Sequence, residues 1–362
     1  MKPVAISMVL DWLRAEGLLQ DVASQAVLRV APSTVITGFA SVDLAEPGDA
    51  SFWVGDTVKN ETNANGFASS LLDSVRAGLL FVPQGLMPAE KVAVASGKEF
   101  APGVGCIVPV ENPYHAMVCF LEKFADSFAG GECAGDVTSG SFAGGECAGD
   151  VAKSARVHAS AVVEGRVGEN AFVGPGCVVM RGATLGAGCV LEANVTIYPN
   201  VVVGEDCVFQ AGAVIGSRGF GFYEYEGRRR PVPHLAGVRI GRGCSFGANT
   251  VVAAGFLSPT TIGENCHIDS FVQIAHNCRL GNNIFMASQS GLAGSVTVED
   301  DVELAGGAQV ANHLTLGKGA RIAAKAGVTK SIPAGLTVSG FPAEEITVWR
   351  RSMVRLRQMG KK

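Results

Sequence analysis

The stretch IGENCHIDSFVQIAHNCRLGNNIFMASQSGLAGSVTV, from Ile262 to Val298, has an apolar residue at every sixth position. These anchor residues are Ile262, Ile268, Ile274, Leu280, Met286, Leu292 and Val298. A period of six matches neither an amphipathic helix nor an alternating strand. It is typical of a hexapeptide-repeat parallel β-helix, in which short strands stack coil upon coil.

The same period extends through much of the chain, with two interruptions. It runs from Val167 to Ile215, resumes from Ile240 to Val252, and continues from Ile262 to Val328. The residue four places after an anchor is small or apolar. Six of these positions hold cysteine: Cys177, Cys189, Cys207, Cys244, Cys266 and Cys278. Because an inward-facing cysteine packs as a small hydrophobe, we expect these thiols to be core residues and not metal ligands.

Four regions follow from where the period begins and stops. We predict a small α/β domain over 1–125, a Gly/Ala-rich linker over 126–154, the β-helix over 155–332 and a helical tail over 333–362. The linker carries SFAGGECAGDV twice, at 127–137 and 141–151, and two thiols there, Cys133 and Cys147, do not make a closed zinc site. The predicted elements outside the repeat are helices at Val4–Glu16, His115–Phe124 and Glu344–Met359, and strands at Gly78–Pro83 and Gly105–Pro109.

Composition limits the class of protein. The 362 residues carry a net charge of −4, which argues against a general nucleic-acid binder. There is no apolar run of about 18 residues, so we expect no transmembrane segment. The N-terminus lacks the pattern of a secretory signal, and a cytoplasmic protein is the simplest expectation.

Two histidines are distinguished by their place in the repeat. His276 follows the anchor Ile274, and His313 follows the anchor Val310. If three hexads form one coil, residues 18 apart stack, so that His276, Gly294 and Asn312 lie above one another. Coils are separated by roughly 4.8 Å, which puts His276 and His313 about two coils apart on one edge.

A histidine beside a glycine N–H is a minimal acyl-transfer site. The neutral imidazole takes a proton from the attacking group, and the N–H stabilises the tetrahedral oxyanion without a metal ion. An exposed, inert histidine remains the alternative interpretation. A zinc-dependent carbonic anhydrase of this fold needs three histidines, and we find only two on the expected face.

These residues resemble the UDP-3-O-acylglucosamine N-acyltransferases of lipid A biosynthesis. The resemblance rests on QIAHN at 273–277, AGS at 293–295, GFGF at 219–222, NH at 312–313 and SGFPA at 339–343. It implies a left-handed β-helix assembled as a homotrimer, with active sites between subunits. It also implies a 3-hydroxyacyl donor on the phosphopantetheine of acyl carrier protein, no bound cofactor or metal, and the 2-amine of a UDP-3-O-acylglucosamine as acceptor.

The resemblance also implies roles for individual residues. His276 matches the general base, Gly294 the oxyanion donor, and Asp269 a nearby carboxylate that we expect to orient His276. The basic C-terminal helix matches a surface for acidic acyl carrier protein, although a merely solvated face is the alternative. The implied substrate-binding residues are His313, Gln273, Asn277, Asn312, Gly219, Phe220, Gly221, Phe222 and Phe52, and the implied carrier-protein contacts are Arg350, Arg351 and Arg355.

The chain departs from the family pattern at three places. Val252–Gly255 stands where the family usually has Ile-Asp-Arg-Gly, and Gly55 and Val58 follow Phe52 where the uracil-binding pattern has Asn and Tyr. The methionines that often line the acyl groove have no counterpart near Gly327 and Thr329. Two alternatives therefore stay open: an acyltransferase with another amino-sugar acceptor or an acyl-CoA donor, and a non-catalytic trimeric scaffold.

Overall fold

The structure, a computed structural model, describes residues 4–16, 18, 27–28, 34–36, 38–39, 45–47, 49–52, 76–83, 104–128 and 149–360. Cys133, Cys147, Gly55, Val58 and most of the duplicated segment lie outside the described residues. The chain divides into two compact units. The N-terminal unit comprises Met1–Ser141 and Phe222–Pro233, and the β-helix unit comprises Phe142–Gly221 and His234–Lys362.

The N-terminal unit is the predicted small α/β domain. Among its described residues, the helices are α1 (Ile6–Ala15) and α2 (Pro113–Phe128). Its first seven strands are β1 (Val4–Ala5), β2 (Val27–Leu28), β3 (Val35–Ile36), β4 (Gly38–Phe39), β5 (Asp49–Phe52), β6 (Ala77–Pro83) and β7 (Val104–Val110). The order of the described sheet is β2-β7-β6-β5-β4, with β2 antiparallel to β7 and the other pairs parallel. Phe81 of β6 and Phe120 of α2 are fully buried, with ring centroids 6.0 Å apart, so the helix covers the sheet.

A hairpin from the first interruption of the repeat also belongs to the N-terminal unit. Its antiparallel strands are β19 (Phe222–Tyr225) and β20 (Arg228–Pro231). Nδ1 of His115 on α2 lies 2.8 Å from the Tyr223 hydroxyl, and the His115 ring stacks on Tyr225 with centroids 3.6 Å apart. Burial, followed by the charge of Arg230, lowers the pKa of His115 below its ordinary value. A neutral imidazole therefore anchors the hairpin to α2.

The β-helix unit consists of three parallel sheets, one on each face of the coil. The strands of the first face are β10 (Arg166–Val167), β13 (Thr184–Leu185), β16 (Val201–Val203), β21 (Val238–Ile240), β24 (Thr260–Ile262), β27 (Arg279–Leu280), β30 (Thr297–Val298) and β33 (Thr315–Leu316). Those of the second are β8 (Arg156–Val157), β11 (Phe172–Val173), β14 (Val190–Leu191), β17 (Val208–Phe209), β22 (Ser245–Phe246), β25 (His267–Ile268), β28 (Phe285–Met286), β31 (Glu303–Leu304), β34 (Arg321–Ile322), β36 (Thr337–Ser339) and an antiparallel edge strand, β37 (Glu344–Glu345). Those of the third are β9 (Val162–Val163), β12 (Val178–Val179), β15 (Thr196–Ile197), β18 (Val214–Ser217), β23 (Val251–Ala253), β26 (Gln273–Ile274), β29 (Gly291–Leu292), β32 (Gln309–Val310) and β35 (Gly327–Val328).

The apolar anchors form the core of the coil. Ile274 pairs in register with Leu292, and Leu292 with Val310, which confirms the predicted stacking of residues 18 apart. Phe209 and Phe246 are fully buried and stack with centroids 4.9 Å apart. The strands on either side of each interruption still pair in parallel, β18 with β23 across the first and β23 with β26 across the second. At the first interruption the register shifts between Ile215 and Ser217. The predicted β-helix is therefore confirmed.

The six inward cysteines are nearly or fully buried, as predicted for core residues. Each Sγ lies 2.8 to 3.3 Å from a backbone carbonyl oxygen of the following coil. Burial raises the pKa of the Cys278 thiol to about 11, so this sulfur stays protonated and donates. These thiols thus pack the corners of the coil and connect each coil to the next.

After the β-helix, the tail forms a helix, α3 (Ile346–Met359). Glu345 caps its N-terminus by accepting hydrogen bonds from the backbone N–H groups of Thr347 and Val348. None of its residues is buried in the single chain.

The turns between the short strands use the left-handed region of the backbone. Seven asparagines adopt it, at 170, 194, 200, 249, 265, 277 and 283. Their short polar side chains tolerate this conformation better than most side chains do.

At Gly319, the energetic cost of a positive φ can be measured without a steric clash. Its φ is +67°, and an added Cβ would meet no atom within 4 Å. We expect Gly319→Asn to leave the stability near that of the parent and Gly319→Val to lower it by about 1–2 kcal/mol, since a β-branched side chain resists positive φ. Chemical denaturation of both variants tests this. Equal losses in the two variants would contradict the dependence on backbone conformation.

Candidate active site

The candidate site lies at the turn that follows β26. This turn carries His276 and Asn277, the turn one coil further carries Gly294, and the next carries His313. The Ser295 N–H donates to the His276 carbonyl at 2.9 Å, and the His313 N–H donates to the Gly294 carbonyl at 3.1 Å. The predicted alignment of His276, Gly294 and the second histidine along one edge is therefore observed in this chain.

The His276 imidazole lies directly against Gly294. A Cβ built on Gly294 would lie 2.8 Å from both Cε1 and Nε2 of the imidazole, so any side chain would displace the ring. Among the described residues, no hydrogen-bond acceptor is paired with the Gly294 N–H. The edge of the ring that carries Nε2 thus faces the backbone of Gly294. The N–H of this glycine donates no hydrogen bond to any described residue.

Asn277 determines which nitrogen of His276 carries the proton. Its Nδ2 donates to the Ser258 carbonyl at 2.9 Å, and its Oδ1 accepts from the Phe256 N–H at 3.2 Å, which together fix the orientation of the amide. Nδ1 of His276 lies 3.1 Å from this same Oδ1. Since Oδ1 is an acceptor only, Nδ1 must donate, and Nε2 keeps its lone pair. In the neutral form of this tautomer, Nε2 is the nitrogen that can accept a proton.

The second interruption of the repeat packs beneath this turn. The Asn277 N–H donates to Thr260 Oγ1 at 2.9 Å, and that hydroxyl donates to the Ala253 carbonyl at 2.7 Å. Ala253 and Ala254 are buried, with 3% and 2% exposure. The segment that departs from the family pattern thus forms packed support for the turn.

His234 lies in the site although its sequence position did not indicate a role. Its ring centroid is 4.7 Å from that of His276, with an angle of 56° between the planes, and only 8% of the residue is exposed. A Cβ on Gly219 would lie 2.7 Å from both His234 Nε2 and His276 Cβ, so this glycine packs against both histidines. His234 falls within the first interruption, where the six-residue period gives no expected position.

Asp269 does not contact His276 within this chain. It follows β25, at a different corner of the coil from His276. One carboxylate oxygen accepts from the Ser270 N–H at 2.7 Å and the other from the Ser288 N–H at 3.0 Å. The contact expected to orient His276 is formed instead by Asn277, because that amide lies in the same turn.

The remaining predicted residues fall at four places. Gln273, Asn312 and His313 are exposed along the edge that carries His276. Phe220 is 87% exposed next to Gly219. In the N-terminal unit, Phe222 begins the hairpin and Phe52 packs edge-on against Tyr114 with centroids 5.2 Å apart. Three further residues, Arg350, Arg351 and Arg355, are exposed on α3.

Comparison with known proteins supports the class that the fold indicates. The family described as bacterial transferase hexapeptide (six repeats) matches residues 164–198, 182–217 and 259–294, and the hexapeptide repeat of succinyl-transferase matches 237–270. The matched residues thus carry hexapeptide repeats similar to those of bacterial transferases.

Within that class, the chain is similar to UDP-3-O-acylglucosamine N-acyltransferases, which confirms the family resemblance predicted from the sequence. It is 44% identical to that of Hydrogenovibrio crunogenus over 192 residues, or 53% of this chain and 55% of the relative. It is 42% identical to that of Pseudomonas entomophila over 227 residues, or 57% of this chain and 64% of the relative. The chain therefore matches between half and two thirds of the length of these relatives.

A solved structure, the UDP-N-acetylglucosamine acyltransferase of Francisella novicida, is 28% identical and superimposes with a TM-score of 0.44. The superposition covers 52% of this chain and 66% of that one.

Two further findings concern the described residues alone. None of the helices in this part of the chain has the length and apolarity needed to cross a membrane. In the same residues, no three His, Cys, Asp or Glu side chains group around a position that would hold a metal ion.

The close approach of Gly294 to His276 can be tested by structure alone. We expect Gly294→Ala to fold but to displace the imidazole, because the new Cβ would lie 2.8 Å from Nε2. Gly306→Ala is the matched control, since the nearest atom there is the Ser288 carbonyl oxygen at 3.6 Å. Crystal structures of both variants would show the ring position. An undisturbed His276 in Gly294→Ala would contradict the contact.

Proposed function

We propose that this protein is an N-acyltransferase of lipid A biosynthesis, which transfers a 3-hydroxyacyl chain to the 2-amine of a UDP-3-O-acylglucosamine. The observation that carries the proposal is the pairing of a lone-pair-bearing Nε2 of His276 with the Gly294 backbone. The relatives are named for this acceptor, and their names support the proposal. Because the chain matches only 55% and 64% of their lengths, the activity of the whole protein is a proposal.

In the proposed reaction, the acceptor amine attacks the carbonyl carbon of the donor thioester. Nε2 of His276 takes the proton that the amine loses as the C–N bond forms. The Gly294 N–H donates a hydrogen bond to the oxyanion of the tetrahedral intermediate. When the intermediate collapses, the C–S bond breaks, and the imidazolium returns its proton to the departing thiolate. The proton count is then balanced, and His276 is neutral again.

The proposed donor is a 3-hydroxyacyl chain on the phosphopantetheine arm of acyl carrier protein, and the proposed assembly is a homotrimer. The exposed edge residues Gln273, Asn312 and His313 would then contact substrate, as the family resemblance implies. Gly219, the first residue of GFGF, packs against His276.

A related acyltransferase with another amino-sugar acceptor is the second candidate. The buried, uncharged Ala253 and Ala254 favour it, because the family usually has an Asp-Arg pair there. A panel of UDP-amino sugars, each offered with acyl carrier protein and acyl-CoA donors, separates the two. Preference for a different sugar or for acyl-CoA would favour the second candidate.

We expect His276→Ala to lower transfer by about 10²–10⁴-fold, the usual contribution of a general base. The measurement is amide formation from 3-hydroxyacyl-acyl carrier protein and UDP-3-O-acylglucosamine. His158→Ala is the matched control, since His158 is exposed and its ring contacts only Ser160 among the described residues. Full activity in His276→Ala would contradict the proposed base. Absence of all transfer by the parent with every donor and acceptor would favour a non-catalytic scaffold.

We expect helix α3 to contribute to recognition of acyl carrier protein. Arg350, Arg351 and Arg355 are exposed, and an acidic partner would be attracted electrostatically. Reversing the charge at Arg350 and Arg351 to Glu should raise KM for the carrier protein about tenfold at low salt, with a smaller effect at high salt because the charges are screened. The KM for the UDP-sugar should not change. An unaltered KM for the carrier protein would contradict this role.

A further inference from the structure

His234 is a second imidazole at the candidate site that the function proposed above does not use. It lies just after the hairpin, 8% exposed, with its ring centroid 4.7 Å from that of His276. The two planes meet at 56°, so the rings are tilted and not stacked face to face. The ring of Phe256 also lies near His234, with centroids 6.3 Å apart.

Three groups together enclose the His276 ring. Asn277 holds Nδ1, and Gly294 lies against the edge formed by Cε1 and Nε2. The third group is His234 with the backbone of Gly219, which packs against His234 Nε2 and His276 Cβ. The first two contacts lie at edges of the His276 ring, and the third brings a second imidazole to 4.7 Å between ring centroids.

A single hydrogen bond to Nδ1 does not prevent the imidazole from turning. The terminal torsion of histidine has a broad, roughly two-fold profile, so the ring can exchange its edges when nothing packs on it. Such a turn would take Nε2 away from Gly294. Misplacement of a reacting group by about 1 Å can cost about 10²-fold in rate.

We propose that His234 is a positioning residue that holds the His276 ring with Nε2 towards Gly294. Its catalytic consequence rests on the proposed function, whereas its effect on the His276 ring does not. His234 acts by contact with His276 and takes no proton from substrate. A purely structural role would instead lower the stability of the chain and leave the His276 ring as it is.

The kinetic test compares His234→Ala with the parent and with His158→Ala. We expect kcat for transfer to fall about ten- to hundredfold in His234→Ala, with KM for the UDP-sugar within about twofold, because the loss is in orientation and not in binding. Added imidazole should restore part of kcat by filling the vacated space. His158→Ala should behave as the parent. Unchanged kcat in His234→Ala would overturn the proposal. An equal increase in the kcat of His158→Ala on addition of imidazole would also overturn it.

The second test does not depend on activity. Nitrogen NMR of the histidine rings should show His276 in the parent as one species, with Nδ1 protonated. In His234→Ala we expect broadened or doubled His276 signals, because the ring exchanges orientations. If His234→Ala does not fold, His234→Gln provides a second variant with a planar polar side chain. We expect a smaller change in the His276 signals in His234→Gln. Unaltered His276 signals in the folded variant would overturn the proposal even if the parent transfers no acyl chain to any acceptor tested.

Discussion

The hydrogen bonds between successive coils are the constraint on which the rest of this structure depends. Most strands of the β-helix are only two residues long and would not be stable alone. They are held because, away from the ends of the coil, each pairs in parallel with strands one coil before and one coil after. Outside the insertions the spacing is 18 residues through most of the repeat and 16 residues at its two ends. Stability of this kind is close to a sum of nearest-neighbour terms. The position of a side chain at a turn is therefore determined by the coils on both sides.

The candidate site uses that constraint directly. His276 and Gly294 meet because they occupy equivalent turns of adjacent coils, and their relative position cannot change without breaking the Ser295 to His276 backbone bond. The inserted segment from Ala253 to Thr261 then adds what the repeat alone lacks. Through Asn277 it fixes the tautomer of His276. The repeat places His276 beside Gly294, and the insertion holds the amide that faces Nδ1 of the imidazole.

Much of the fold and part of the site could be predicted from the sequence. Periodicity at Ile274, Leu292 and Val310 was sufficient to align His276 with Gly294, because stacking follows directly from the repeat length. His234 could not be found in this way, since it lies in an insertion, where position depends on tertiary packing. The expected contact of Asp269 with His276 is not formed in the chain, because seven residues along a hexapeptide coil lead to the next corner and not to the same one. The hairpin at 222–231 likewise belongs to the N-terminal unit through His115, a contact that no local pattern encodes.

The inward cysteines have a consequence for how the solenoid opens. Six thiols are distributed from Cys177 to Cys278, each donating to a carbonyl of the following coil. A buried thiol reacts with a small alkylating agent only when its own coil separates from its neighbour. The chain therefore carries an internal series of reporters along its axis, and the order in which the sulfurs become labelled would record from which end the coil frays.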